Sequence, residues 1–176
     1  MSVIGVKKDK NKIIIVADSQ ESFGDSLKKN VDGIKLRRVS ENTIIGGAGN
    51  GHIMSLFYAY VDKNPLDNII EAYELIEYFT QFNKWTKDIM NEVTEDLYII
   101  SSVQFLLIIK EKVWEFNNFY IRELKDGEIT SIGSGADQLL CCMELTDSLI
   151  EGIRIVCKYN VHCSEPLNII EVNNNG

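Results

Sequence analysis

Proline and histidine are both scarce, with 2 of each in 176 residues. With 45% hydrophobic and 25% charged residues, so little proline excludes a disordered or low-complexity chain and leaves a globular composition. His52 and His162 offer little imidazole, and the four cysteines (Cys141, Cys142, Cys157 and Cys163) lack paired metal-ligand spacing. They read as buried thiols, and no metal or cofactor is expected. Basic side chains are also short, 18 against 26 acidic, for a net charge of −8. That balance argues against nucleic acid or an anionic membrane as partner. Long apolar runs are missing too: the densest, 105–109, falls far short of the roughly 20 residues of a membrane helix. The start of the chain runs into Lys7, Lys8, Asp9 and Lys10 without an export signal, so a cytoplasmic protein is expected.

What the chain does contain is a regular alternation of patterns, read as one domain over 1–176. A domain of this size hides roughly 70% of its unfolded surface, enough for a core without disulfides or metals. Strands are predicted at 3–7 and 13–17 around the polar stretch 8–12, and at 34–39 and 43–46 around Ser40, Glu41 and Asn42. From 51 to 60 apolar residues fall almost all round, predicting a helix covered on more than one side. After Pro65, Ile69, Tyr73, Ile76, Phe79 and Phe82 recur three or four apart, the stripe of an amphipathic helix.

Strands return from 103 to 132, where the run 105–109 suits a strand covered on both faces and Lys125, Asp126 and Gly127 form a turn. Helices are predicted at 136–145 and after Ser148, whose spacing to Glu151 suggests a capping box, and a last strand at 167–172 precedes the polar tail 173–176. Two helix pairs and hairpin-linked strands predict an α+β fold: a four-layer αββα sandwich, two stacked antiparallel sheets between helix pairs.

Two glycine-rich segments read as turns between a strand and a helix: Gly46-Gly47-Ala48-Gly49-Asn50-Gly51 and Gly133-Ser134-Gly135. Such turns aim backbone N–H groups at an anion. Neither holds a complete G-x-G-x-x-G or a Gly-Lys-Ser/Thr ending. An oxyanion-binding turn, a purely structural turn and a nucleotide site therefore all stay open. The start of the chain is a second candidate. Ser2 is small enough to let methionine aminopeptidase remove Met1, and a free Ser2 would carry a hydroxyl beside an α-amine with a reference pKa near roughly 7.7–8.0, so nucleophile and base would share one residue.

Around that start, Ser2-Val3-Ile4-Gly5-Val6, Ile15-Val16-Ala17-Asp18-Ser19, Gly24-Asp25, Ile34-Lys35-Leu36-Arg37-Arg38, Ile45-Gly46-Gly47-Ala48-Gly49 and Ile132-Gly133-Ser134-Gly135-Ala136 follow one another in an order that resembles the proteasome β-type peptidases, most of all the short HslV-like N-terminal-nucleophile (Ntn) hydrolases. The likeness runs over essentially the whole chain and is weakest between 63 and 98.

The resemblance implies a set of roles. Ser2 would be the nucleophile, standing where threonine is usual and lacking the methyl that restricts the hydroxyl rotamer. Asp18 would orient Lys35, whose charge would lower the proton affinity of the terminal amine. The backbone N–H of Gly49 would stabilise the oxyanion, and Ser134 would hydrogen-bond the amine. Asn160 and Cys163 stand where the proteasome pattern has an aspartate and a serine supporting that amine. Asn160 offers hydrogen bonds but no negative charge. Gly47 falls at the floor of the pocket for the residue before the cut, which suggests a roomy pocket.

The implied activity is cleavage of peptides or unfolded proteins inside a homo-oligomeric ring, with an ATP-dependent unfoldase as a possible partner. Two other readings stay open: an inactive structural or assembly subunit of the same fold that retains Met1, and a phosphate- or nucleotide-binding domain built on the glycine turns.

Overall fold

The computed structural model describes residues 2–23, 26–28, 35–90, 99–118 and 120–173. Met1, Gly24, Asp25, Ile34 and the last three residues of the tail, all named above, lie outside them. The first hairpin joins β1 (Ile4–Asp9) to β2 (Lys12–Ala17), in register from Ile4 opposite Ala17 to Asp9 opposite Lys12. Both strands run further into the polar stretch than their apolar residues alone suggest. Antiparallel pairing with β10 (Ile129–Ile132) on one side and β11 (Asn168–Asn173) on the other completes a four-stranded sheet, β10-β1-β2-β11. The second sheet has five antiparallel strands in chain order: β5 (Leu36–Arg38), β6 (Thr43–Gly49), β7 (Val103–Ile109), β8 (Lys112–Asn117) and β9 (Tyr120–Leu124). A short separate hairpin, β3 (Glu21–Phe23) with β4 (Ser26–Lys28), was not expected from the sequence.

Side-chain alternation stacks the layers, because successive residues of a strand face opposite ways. Ile4, Val6, Ile13 and Ile15 of the first sheet meet Ile44, Leu106, Ile108 and Val113 of the second in one buried cluster. The opposite faces pack against helices. Phe105, Leu107 and Ile109 join an aromatic cluster with α1 (Gly51–Lys63) and α2 (Ala72–Met90). Val3 and Val16 pack against α3 (Ala136–Met143) and α4 (Leu149–Tyr159). The run 105–109 is therefore apolar throughout because both of its faces are covered. The order is helices, sheet, sheet, helices: the αββα sandwich of the sequence reading. Among the described residues no helix is long and apolar enough to cross a membrane.

Some expectations are corrected. The helix after Pro65 begins only at Ala72, because the Glu74 carboxylate accepts from the N–H groups of Ile70 and Glu71 (2.7 and 2.8 Å) and so satisfies the open donors just before it. Those bonds hold the Glu74 carboxyl below its ordinary range. The buried face of α2 runs through Leu75, Tyr78, Phe79, Phe82, Asn83 and Thr86, leaving Tyr73 and Ile76 of the expected stripe exposed. The first glycine-rich segment is not a turn: Gly46, Gly47 and Gly49 lie in β6, and the helix starts directly after Asn50. Of the four free cysteines only Cys163 is buried; Cys141 is exposed, and Cys142 and Cys157 are half-buried.

Candidate active site

Ser2 sits just ahead of β1, 5% exposed, and the second glycine turn holds its main chain. The Ser2 nitrogen donates to Ser134 Oγ (3.2 Å), and the Ser2 carbonyl accepts from Gly135 N (3.1 Å). Gly133 has φ +91°, and a Cβ there would overlap the Ser2 carbonyl oxygen, so the turn can approach this closely only with glycine at 133. Gly133 N is fixed in turn by the side chain of Gln104 on β7 (2.9 Å). Two N–H groups of this turn thus serve the protein itself, that of Gly133 a side chain and that of Gly135 the Ser2 main chain.

One residue further on, Val3 is clamped to Asp18 at the end of β2. Val3 N donates to Asp18 Oδ1 (2.9 Å), while Asp18 N donates to Val3 O (3.1 Å). Asp18 is fully buried, and its carboxylate collects four donors. Oδ1 also accepts Lys35 Nζ at 2.7 Å, and Oδ2 accepts Gln20 N (3.0 Å) and Ser164 N (3.3 Å). Lys35 is 7% exposed. A buried ion pair survives desolvation only when hydrogen bonds meet its remaining lone pairs, and the backbone donors around Asp18 do so. The Lys35 main chain reaches the other sheet, its carbonyl accepting Gly47 N (3.0 Å).

At the end of β6, Gly49 has φ +127°, and a Cβ on it would overlap the carbonyl oxygen of Ser102, so this position too is closed to side chains. Asn50 then caps α1, its Oδ1 accepting from the N–H groups of His52 and Ile53 (2.9 and 3.3 Å). The room expected beside Gly47 is absent: the tip of Met54, from the first turn and a half of α1, occupies it.

The supporting residues divide. Cys163 lies buried beside Gly135, its Sγ 3.2 Å from where a Cβ on that glycine would stand. Burial first, then the charge of Asp18, pushes the Cys163 thiol up to about 12, so near neutral pH it packs as an uncharged group. Asn160 is turned elsewhere: its Nδ2 donates to Gln138 Oε1 (2.7 Å), and its Oδ1 accepts from His162 N (2.9 Å). Ser134 therefore holds the Ser2 main chain while the Lys35–Asp18 pair holds that of Val3, the next residue, with Cys163 packed beside Gly135 and Asn160 engaged with Gln138 and His162. Sequence reasoning missed Gln104, Gln20, Ser164 and Met54. Gln104 alone left a signal, as a polar residue interrupting a buried strand. Among the described residues no group of three histidine, cysteine or acidic side chains is gathered as a metal site would need.

No family model matches the chain. It is 28% identical over 136 residues to the ATP-dependent protease subunit HslV of Sulfurimonas denitrificans, an alignment covering 74% of this chain and 67% of that protein. Among solved structures it resembles Thiobacillus denitrificans BPH (TM-score 0.82, 12% identity, 97% of each chain) and the same protein in complex with epoxomicin (TM-score 0.74, 14% identity, 97% of this chain and 98% of that one). It also resembles HslV from Trypanosoma brucei (TM-score 0.68, 17% identity, 97% of this chain and 99% of that one).

Proposed function

Taking as premise that the chain is an HslV-like member of the Ntn-hydrolase family, we propose that it is a peptidase whose nucleophile is Ser2, exposed by removal of Met1. The observation that carries this reading is the buried Lys35–Asp18 pair, tied through Asp18 Oδ1 to the main chain of Val3, the residue next to Ser2. A cation fixed there favours negative charge on a nearby hydroxyl oxygen and disfavours a proton on a nearby amine. With Met1 gone, the nitrogen that donates to Ser134 Oγ becomes an α-amine able to accept the Ser2 hydroxyl proton.

Ser2 Oγ then bonds to the scissile carbonyl carbon, and the carbonyl oxygen gains negative charge facing the Gly49 N–H. As the C–N bond breaks, the proton held by the amine passes to the leaving nitrogen, and an ester to Ser2 remains. Water, giving its proton to the same amine, releases the acid and restores the hydroxyl. The relative's description as an ATP-dependent protease subunit supports a place in a homo-oligomeric assembly that works with an ATP-driven unfoldase on peptide or unfolded-protein substrates.

A peptide epoxyketone tests the reading, because its ring adduct consumes both the hydroxyl and the free amine of one terminal residue. Protein from the native host should be one methionine lighter than the encoded chain and should form the adduct on Ser2. A trimmed chain that forms none, or a chain that keeps Met1, overturns the peptidase in favour of a structural subunit. The bonds of Asn160 to Gln138 and His162 favour the structural subunit, because a side chain engaged in this way is not held to the Ser2 nitrogen.

A further inference from the structure

The space beside Gly47 is filled from another element. A Cβ built on Gly47 would overlap Met54 Cε and stand 2.6 Å from Met54 Sδ, with Phe105 Cδ1 at 3.5 Å. The thioether thus lies directly on bare backbone, in a position that any side chain at 47 would deny it. Met54 is 8% exposed and belongs to the aromatic cluster through α1, whose first turn is fixed by Asn50 immediately after Gly49. Its N–H donates to Asn50 O (3.0 Å), so the residue is placed relative to the end of β6 by one short, capped connection.

We propose that Met54 is the specificity-determining residue of the site and restricts the residue before the cut to a small side chain. This rests on the peptidase reading. If the attacked carbonyl lies against Gly49 N–H, the side chain on the same peptide residue comes down beside β6. Gly47 and Gly49, two residues apart, share one face of that strand, and a side chain lying on this face meets both. That surface carries the Met54 tip. Glycine, alanine or serine fits above it, whereas leucine or phenylalanine must displace the thioether. Methionine is unbranched with three rotatable bonds, so displacement is possible but selects against large groups. One methylene too many in such a pocket changes selectivity by about 10–200-fold.

The test uses the trimmed, full-length protein and a set of peptide epoxyketones differing only in the residue next to the warhead: alanine, leucine or phenylalanine. The second-order labelling rate is read by intact mass. The native protein should label with the alanine compound at least about tenfold faster than with the leucine compound. Met54→Ala should move the leucine-to-alanine ratio at least about tenfold towards leucine. Met54→Val, which keeps a shorter apolar group in the cluster, should move it the same way by less, and serves if the alanine variant does not fold. An unchanged ratio in a folded variant, or a native preference for leucine or phenylalanine, overturns the assignment of Met54 while leaving the peptidase standing. No adduct with any member of the set overturns both.

Discussion

The two helix layers cover their sheets in different ways. Under α1 and α2 the contact is made by rings: Phe57 stacks on Phe79 with centroids 5.3 Å apart and meets Phe82 edge-on at 5.1 Å, and Phe105, Phe116, Tyr60 and Tyr78 complete the cluster. Under α3 and α4 the side chains are smaller, Val3, Val16, Leu139, Leu149, Ile153, Val156 and Cys163, and the helices come so near the sheet that Leu139 and Leu149 lie directly over Gly5. Large rings bury much area and tolerate small shifts of backbone. A layer packed onto glycine fixes the backbone itself, and it is this layer that holds Ser2 and the 133–135 turn. One side of the molecule supplies stability; the other supplies position.

The largest expected effect tests the first half of that contrast. Phe82→Ala removes a fully buried ring in contact with Phe57 and Tyr60 and should cost about 3–5 kcal/mol of stability by denaturant unfolding. The folded fraction should label with the alanine epoxyketone at a rate within about twofold of native, since the lost ring belongs to the aromatic cluster and not to the layer that holds Ser2. A comparable fall in labelling per folded molecule would dissolve the distinction between the layers.

Gly133→Ala reverses the ratio. Its stability cost should be about 1–3 kcal/mol, from a positive-φ residue forced onto the Ser2 carbonyl. Labelling should drop about a hundredfold, the usual consequence of moving a reacting group by about 1 Å. Native-like labelling in a folded Gly133→Ala protein would show that the turn does not position Ser2.

Alkaline titration distinguishes the layers without an initial substitution. Burial raises the Cys157 and Cys163 thiols from 9.0 to about 12 on one side, and raises Tyr58 and Tyr78 above their ordinary 10.0 on the other. In each case the unfolded chain gives up its proton first, so the folded state binds more protons once the pH passes the unfolded value. Stability should therefore be level with respect to these groups below about pH 9, and should fall as pH rises towards 12. The thiols start this fall and the phenols join it from about 10. Replacing Cys157 and Cys163 together by alanine should flatten the denaturant midpoint between pH 9 and 10; an unchanged slope there would place the first loss elsewhere.

The contrast also explains what was legible in the sequence. The β1–β2 hairpin, the doubly covered strand β7 and the helix pairs announce themselves because burial repeats with period 2 or about 3.6. Ser2, Asp18, Lys35 and Ser134 were reachable through an ordered set of short motifs. Nothing periodic ties Met54 to Gly47, because a missing side chain on a strand and a long one on the next helix meet only after folding. Nor could spacing show that Asn160 would bond Gln138, or that Ser164 would complete the shell of Asp18 from 146 residues away. The late start of α2 has a local reason, the Glu74 carboxylate taking the N–H groups of Ile70 and Glu71.

The smallest effect is the sharpest comparison, because it holds stability constant. One helix in each layer begins on a side-chain cap: Asn50 accepts from His52 and Ile53 ahead of α1, and Ser148 accepts from Glu151 ahead of α4 (3.3 Å). Replacing either by alanine should cost about 1 kcal/mol. Their consequences for the site should differ, against the simple division by layer, because Asn50 follows Gly49 directly and anchors the turn that carries Met54. Ser148→Ala should leave the leucine-to-alanine labelling ratio at its native value. Asn50→Ala should relax that ratio by a few-fold, since a loosened first turn lets the thioether leave Gly47 more readily. Equal ratios at equal stability loss would mean that the cap does not hold Met54 in place, and the aromatic layer would then contribute area alone.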